Sequence, residues 1–215
     1  MWNELLTLLF PEHCINCEKS GNTLCAICER TIITKPVALS GTTATLFDYK
    51  QPLVKRAIWA LKYHHKRSLA TYFGTALYRE FFKQLTHGHK KLREEIILLP
   101  IPAHKKANAV RGYNHTEAIA RAIDRCAKED HLELSIRTDI LFKKKENIRQ
   151  VETKGRTGRI KNVENIFGVE HGEELAGKTV IIIDDVITTG ATIADARRAL
   201  KEWKPKRILA IAVAH

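Results

Sequence analysis

No stretch of these 215 residues approaches the ~18 consecutive apolar residues that a membrane span needs. The opening MWNELLTLLFPEH has no basic n-region, its apolar stretch is interrupted by Glu4, and no small-residue cleavage site follows, so a secretory signal is not expected. These absences lead to a cytoplasmic expectation, with any contact at the inner face of the cell membrane only peripheral; Leu5, Leu6, Leu8, Leu9 and Phe10 suit a short helix packed on the domain or on a partner. There is no internal repeat and no low-complexity tract. Neither G-x-x-x-x-G-K-[ST] nor G-x-G-x-x-G occurs, which removes the P-loop and Rossmann readings. Acidic residues are scarce relative to basic ones, 24 against 36, for a formal charge of +12. That balance favours a polyanionic partner, either nucleic acid or a phosphorylated substrate. The remaining composition, 44% hydrophobic and 28% charged, is that of an ordinary globular chain, long enough for one domain and a small appendage.

Cysteine is concentrated where it occurs. Four of the five fall in CINCEKSGNTLCAIC, so that Cys14, Cys17, Cys25 and Cys28 form two C-x-x-C pairs separated by seven residues. Each pair turns two thiolates toward one centre, and two pairs complete the four-sulfur set that Zn²⁺ favours. Disulfides are the alternative, which a reducing cytosol disfavours. A closed four-sulfur site leaves no open position for catalysis, and in so short a segment the metal supplies folding energy. Cys126, on the helical pattern EAIARAIDRCAKE, reads as a core or boundary residue.

Along the rest of the chain, residues 30–41 read as a connector with Pro36 and Gly41, which places an N-terminal segment at 1–41 and the main domain at 42–215. TTATLFDY (42–49) reads as a strand. LVKRAIWALKYHH (53–65) reads as an amphipathic helix, with Leu53, Ala57, Ile58 and Leu61 inward and the basic residues elsewhere. A second helix is expected from Ser68 to Leu85, then a polar turn at 87–91. IILLPIP (96–102) has the continuous apolar character of a buried parallel strand. A helix from Asn114 follows, then strands in TDILFK (138–143) and TVIIID (179–184), a helix from Ala191 to Trp203, and a strand in RILAIAVA (207–214). Alternating strands and helices predict an α/β fold built on a parallel sheet.

VIIIDDVITTGAT (180–192) ends one such strand in two adjacent carboxylates. Ligands of these sheets bind outside the carboxyl ends of the strands. There Asp184 and Asp185 can accept from vicinal hydroxyls or help hold hydrated Mg²⁺. The hydroxyls of Thr188, Thr189 and Thr192, the turn that Gly190 permits, and the backbone N–H groups from Ala191 onward form an anion cradle at a helix start. The ligand implied carries a diol beside a phosphate.

The motif resembles the 5-phosphoribosyl-1-pyrophosphate (PRPP) loop of type I phosphoribosyltransferases. Together with FPEHCINC, LCAIC, IWALKYH, LLPIPAHKKANAVRGYNHTEAIA and Gln150 with RIKNVENIF, the chain is similar to the ComF family, competence-associated proteins with a phosphoribosyltransferase-like domain behind a zinc finger. The resemblance implies a type I phosphoribosyltransferase-like fold with a small N-terminal four-cysteine zinc knuckle. It implies ribose hydroxyls on Asp184 and Asp185, the 5′-phosphate on residues 188–192, and Mg²⁺ with PRPP. It also implies a role in DNA uptake that brings single-stranded DNA and a helicase or motor partner. Lys105, Arg111 and Gly112 are the pyrophosphate-loop candidates, although Lys105 also suits a solvated turn.

KKKENIRQVETKGRTGRIK (143–161) sets eight cations, Lys143, Lys144, Lys145, Arg149, Lys154, Arg156, Arg159 and Lys161, against two glutamates. It reads as a solvated loop, as a cover that closes over pyrophosphate, or as a nucleic-acid contact. Lys143, Lys145 and Asn147 stand where arginines and a threonine are commoner in the family, and lysine keeps the charge without the bidentate fork. The two functional classes in view are a protein that binds PRPP and handles single-stranded DNA, and an active transferase acting on a nucleobase or related acceptor.

Overall fold

The computed structural model describes residues 12–83, 95–103, 112–144 and 165–215. The expected N-terminal helix, the polar turn at 87–91 and nearly all of the basic segment lie outside them. Eight strands occur among the described residues. They are β1 (Thr34–Ser40), β2 (Thr43–Phe47), β3 (Ile96–Pro100), β4 (Leu134–Ile136), β5 (Leu141–Lys143), β6 (Phe167–Val169), β7 (Thr179–Val186) and β8 (Arg207–Ala214). The helices are α1 (Ala26–Glu29), α2 (Pro52–Tyr63), α3 (Ser68–Leu77), α4 (His115–Glu129) and α5 (Ala191–Lys201).

Six strands form one sheet in the order β1-β2-β8-β7-β3-β4, parallel except for β1. β3 and β7 are buried along almost their whole length, as their unbroken apolar runs require. Their alternation divides the core between two faces. Ile181 and Ile183 join Leu98 and the α2, α3 and α4 side chains on one face; Val180 and Ile182 join Leu99 and α5 on the other. Where α3 crosses α4 the backbones meet at Gly74. A Cβ there would lie 2.4 Å from Ala122 Cβ and 2.8 Å from the Ile119 carbonyl oxygen.

Three segments differ from the sequence expectation. The stretch expected as a connector contains β1, an exposed edge strand antiparallel to β2, where Pro36 sits at a register shift that spares it a ladder hydrogen bond. The second helix ends at Leu77 and continues as a π-helical turn over Tyr78–Phe82, whose Tyr78 and Phe82 rings stack in the core. TDILFK supplies β5, but β5 pairs antiparallel with β6 in a separate two-stranded ladder; the short β4 takes the sheet edge.

This topology places the ligand crevice. From β3 the chain passes through α4 to β4 on one side, and from β7 through α5 to β8 on the other. The adjacent β3 and β7 therefore flank a topological switch point, and the crevice opens at their carboxyl ends.

Candidate functional site

Both loops at the crevice use a left-handed glycine just before a helix: Gly112 at φ 68° ahead of α4 and Gly190 at φ 77° as the residue preceding α5. The first loop is pinned at its ends, since Asn114 Nδ2 (3.1 Å) and Thr116 Oγ1 (2.6 Å) both donate to the Ile101 carbonyl. Asn114 also caps α4 by accepting from the Thr116 amide. In the second loop Thr188 and Thr189 are exposed, and Gly190, Ala191 and Thr192 are half-buried. Lys105 and Arg111 lie outside the described residues.

Asp184 and Asp185 are both buried, at 8% and 5% exposure, and they are not equivalent. Strand alternation sends them to opposite faces of β7. Asp185 faces α2 and α4, where Lys62 Nζ lies 2.7 Å from Oδ2 and His115 Nε2 is in close contact with the same oxygen. Burial alone raises Asp185, but His115 and Lys62 outweigh it and hold the carboxyl below its usual range. Asp184 forms no ion pair among the described residues, and Lys62 and Lys143 act on it only as weaker, more distant charges. It accepts from the Asp185 amide at 2.8 Å, and burial followed by the neighbouring Asp185 charge pushes it up to about 7. The strand end thus holds one ionised carboxylate with its own counter-ion and one carboxyl poised near neutrality.

Lys62 and His115 were absent from the sequence reading. Amphipathicity assigns the basic residues of α2 to solvent, and nothing local distinguishes Lys62 from Lys55. His115 Nδ1 is buried and has no partner among the described residues.

Lys143 and Lys144 leave β5, with Lys143 Nζ 5.9 Å from the Phe167 ring centroid, while Lys145, Arg149, Lys154, Arg156, Arg159 and Lys161 lie outside the described residues. The chain returns at Asn165, where buried Asp195 of α5 accepts from the amides of Asn165 (2.8 Å) and Phe167 (3.0 Å) and from Arg198 (2.8 Å). Asp195 too escaped sequence reasoning, since a lone helical aspartate carries no signal.

At the N-terminus the Sγ atoms of Cys14, Cys17, Cys25 and Cys28 all lie within 4.8 Å of one another. All are free thiols, and the 3.6 Å between Cys17 and Cys25 is far beyond a disulfide bond. It suits a tetrahedral metal, whose ~2.3 Å bonds put sulfurs ~3.8 Å apart. Burial would raise Cys14, but amides of Cys17, Cys25 and Asn16 outweigh it and hold the thiol at about 6. Cys28 is raised well above the usual range despite a hydrogen bond from Asn16 (3.3 Å), because burial and the crowded thiols oppose its charge. A bound cation relieves that crowding, so the donor set fits a structural zinc.

Residues 112–215 match the model of the phosphoribosyl transferase domain family. The chain is 26% identical over 186 residues to the competence protein ComFC of Bacillus subtilis, covering 86% of this chain and 68% of that one. It is 28% identical over 200 residues to the ComFC of Streptococcus pneumoniae, covering 92% and 78%. A hypoxanthine phosphoribosyltransferase structure from Staphylococcus aureus aligns at a TM-score of 0.40 with 18% identity, over 66% of this chain and 62% of that one. A hypoxanthine-guanine phosphoribosyltransferase from Bacillus anthracis aligns at 0.39 with 13% identity, over 68% and 66%. The mostly parallel sheet and the family match together define a type I phosphoribosyltransferase-like α/β domain. With the four-cysteine cluster ahead of it, the chain is similar as a whole to the ComFC competence proteins. Among the described residues, no helix is long and apolar enough to cross a membrane.

Proposed function

We propose that this protein binds PRPP or a related ribose phosphate and handles incoming single-stranded DNA during natural transformation, on the cytoplasmic side. The observation that carries the ligand reading is the buried Asp184–Asp185 pair at the β3/β7 switch point, followed by the left-handed Gly190 that opens α5. The carboxylates receive the ribose hydroxyls. The N–H groups and hydroxyls of residues 188–192 receive the 5′-phosphate. Gly112 lets backbone approach the pyrophosphate, with Lys105 and Arg111 as its cationic partners and Mg²⁺ neutralising charge between the phosphates. Zinc on Cys14, Cys17, Cys25 and Cys28 holds the N-terminal knuckle. The basic segment from Lys143 to Lys161 and the +12 charge support a polyanionic strand as second ligand, and a DNA-uptake motor is the partner class that fits.

The test is calorimetric titration with PRPP and Mg²⁺, for which D184N and D185N are expected to lose the binding heat. The phosphoribosyl transferase domain match supports a second reading, transfer to a nucleobase. Pyrophosphate release over a panel of bases, with and without DNA, separates the two; no release with any base leaves a binding site alone.

A further inference from the structure

Two large side chains on α2 stand out of the fold. Trp59 is 53% exposed and Tyr63 52%, their ring centroids 5.2 Å apart, and the His64 ring lies 4.8 Å from Trp59. An amphipathic helix that buries Val54, Ala57, Ile58 and Leu61 gains nothing by leaving an indole and a phenol in water. The chain around them is basic: residues 49–79 hold seven Lys or Arg and no Asp or Glu, with Glu12 an acid beside Lys66 (3.9 Å). One helical turn from Trp59 and next to Tyr63 is Lys62, the residue that reaches inward to Asp185.

We infer that the outward face of α2 carries a single-stranded nucleic acid, its unpaired bases stacked on Trp59 and Tyr63, and that Lys62 links occupancy of this face to the ligand at Asp185. Stacking on an aromatic side chain is worth about 5- to 150-fold in affinity per base and is open only to bases not already stacked in a duplex. The excess of Lys and Arg in this segment attracts the phosphates that run beside the bases. The link resting on the ligand reading above is a competition for one oxygen. A ribose hydroxyl or hydrated cation arriving at Asp185 displaces the Lys62 ammonium, which then adds one contact to the strand's phosphates. Each ligand strengthens the other by the same factor.

The experiment measures binding of fluorescent oligo-dT, and of a duplex of equal length, over a range of salt with and without PRPP and Mg²⁺. W59A/Y63A is expected to lose at least about tenfold in oligo-dT affinity, and W59F/Y63F, which keeps ring faces, to recover most of it. PRPP with Mg²⁺ is expected to steepen the salt dependence for oligo-dT by about 0.7 in log–log slope in the wild-type protein, and this change is expected to vanish in K62Q. Wild-type oligo-dT affinity in W59A/Y63A, or a duplex bound as tightly and weakened as much, overturns the surface. The same steepening in K62Q overturns the link. Failure of the ligand reading looks different: PRPP then gives no heat with the wild-type protein, whereas the comparison of aromatic variants is unchanged.

Discussion

The Lys62 ammonium lies 2.7 Å from Asp185 Oδ2, so the carboxylate most exposed to burial cost carries its counter-ion from a helix on another part of the chain. Removing one partner of a fully buried ion pair costs ~3–5 kcal/mol. Here Lys62 is 24% exposed and His115 still serves Asp185, so Lys62→Met is expected to cost about 1–2 kcal/mol. The urea midpoint of unfolding checks this.

Asp184 sets a pH dependence whose sign follows from its raised pKa. Between its ordinary 3.8 and its folded value of about 7, the folded protein holds a proton that the unfolded chain has released. Its contribution to stability is therefore complete below about pH 4 and is lost as pH rises through 7. D184N removes a decline on the order of 3–4 kcal/mol across that window. The measurement is the difference between wild-type and D184N unfolding free energies from pH 4 to 8, which cancels the histidines common to both.

Gly190→Ala isolates the backbone of the second loop. A Cβ there meets nothing within 4 Å, yet φ is 77°, so the cost is conformational, about 1 kcal/mol or more. Because that strain relaxes by rotating the amides at the start of α5, PRPP affinity is expected to fall further than stability. Gly190→Asn, which tolerates the left-handed region, is expected to retain more of both.

Metal content tests the knuckle. One zinc per chain is expected by elemental analysis, and C14S or C28S is expected to abolish it. Leu24 and Leu53 pack against the cysteine cluster, so metal loss by chelation is also expected to lower the melting temperature rather than leave it unchanged. A melting temperature insensitive to chelator would contradict a structural metal.

Long apolar runs made β3, β7 and β8 legible from sequence because burial on both faces demands them. The C-x-x-C spacing and the DD-TTGAT stretch were legible because their chemistry is written in consecutive residues. What escaped was assembled in space. Lys62 and His115 meet Asp185 only after α2 and α4 dock on the same sheet face. Asp195 acts on amides some thirty positions earlier in the chain. The inequivalence of the two aspartates follows from strand alternation, but which one receives cations depends on which layer covers which face. β1 escaped for a different reason: an exposed edge strand buries too little to leave a hydrophobic pattern.

α2 also has a grip near each end. Arg56 Nη1 holds the cysteine knuckle through the Ile15 carbonyl (3.2 Å) and Asn16 Oδ1 (3.1 Å), and Lys62, six residues on, holds Asp185. Six residues of α-helix form a stiff strut of about 9 Å. A protein that seizes the knuckle therefore pulls on a rod whose far end is seated on Asp185 at the β3/β7 crevice. The four-cysteine segment has the mechanical position of a handle.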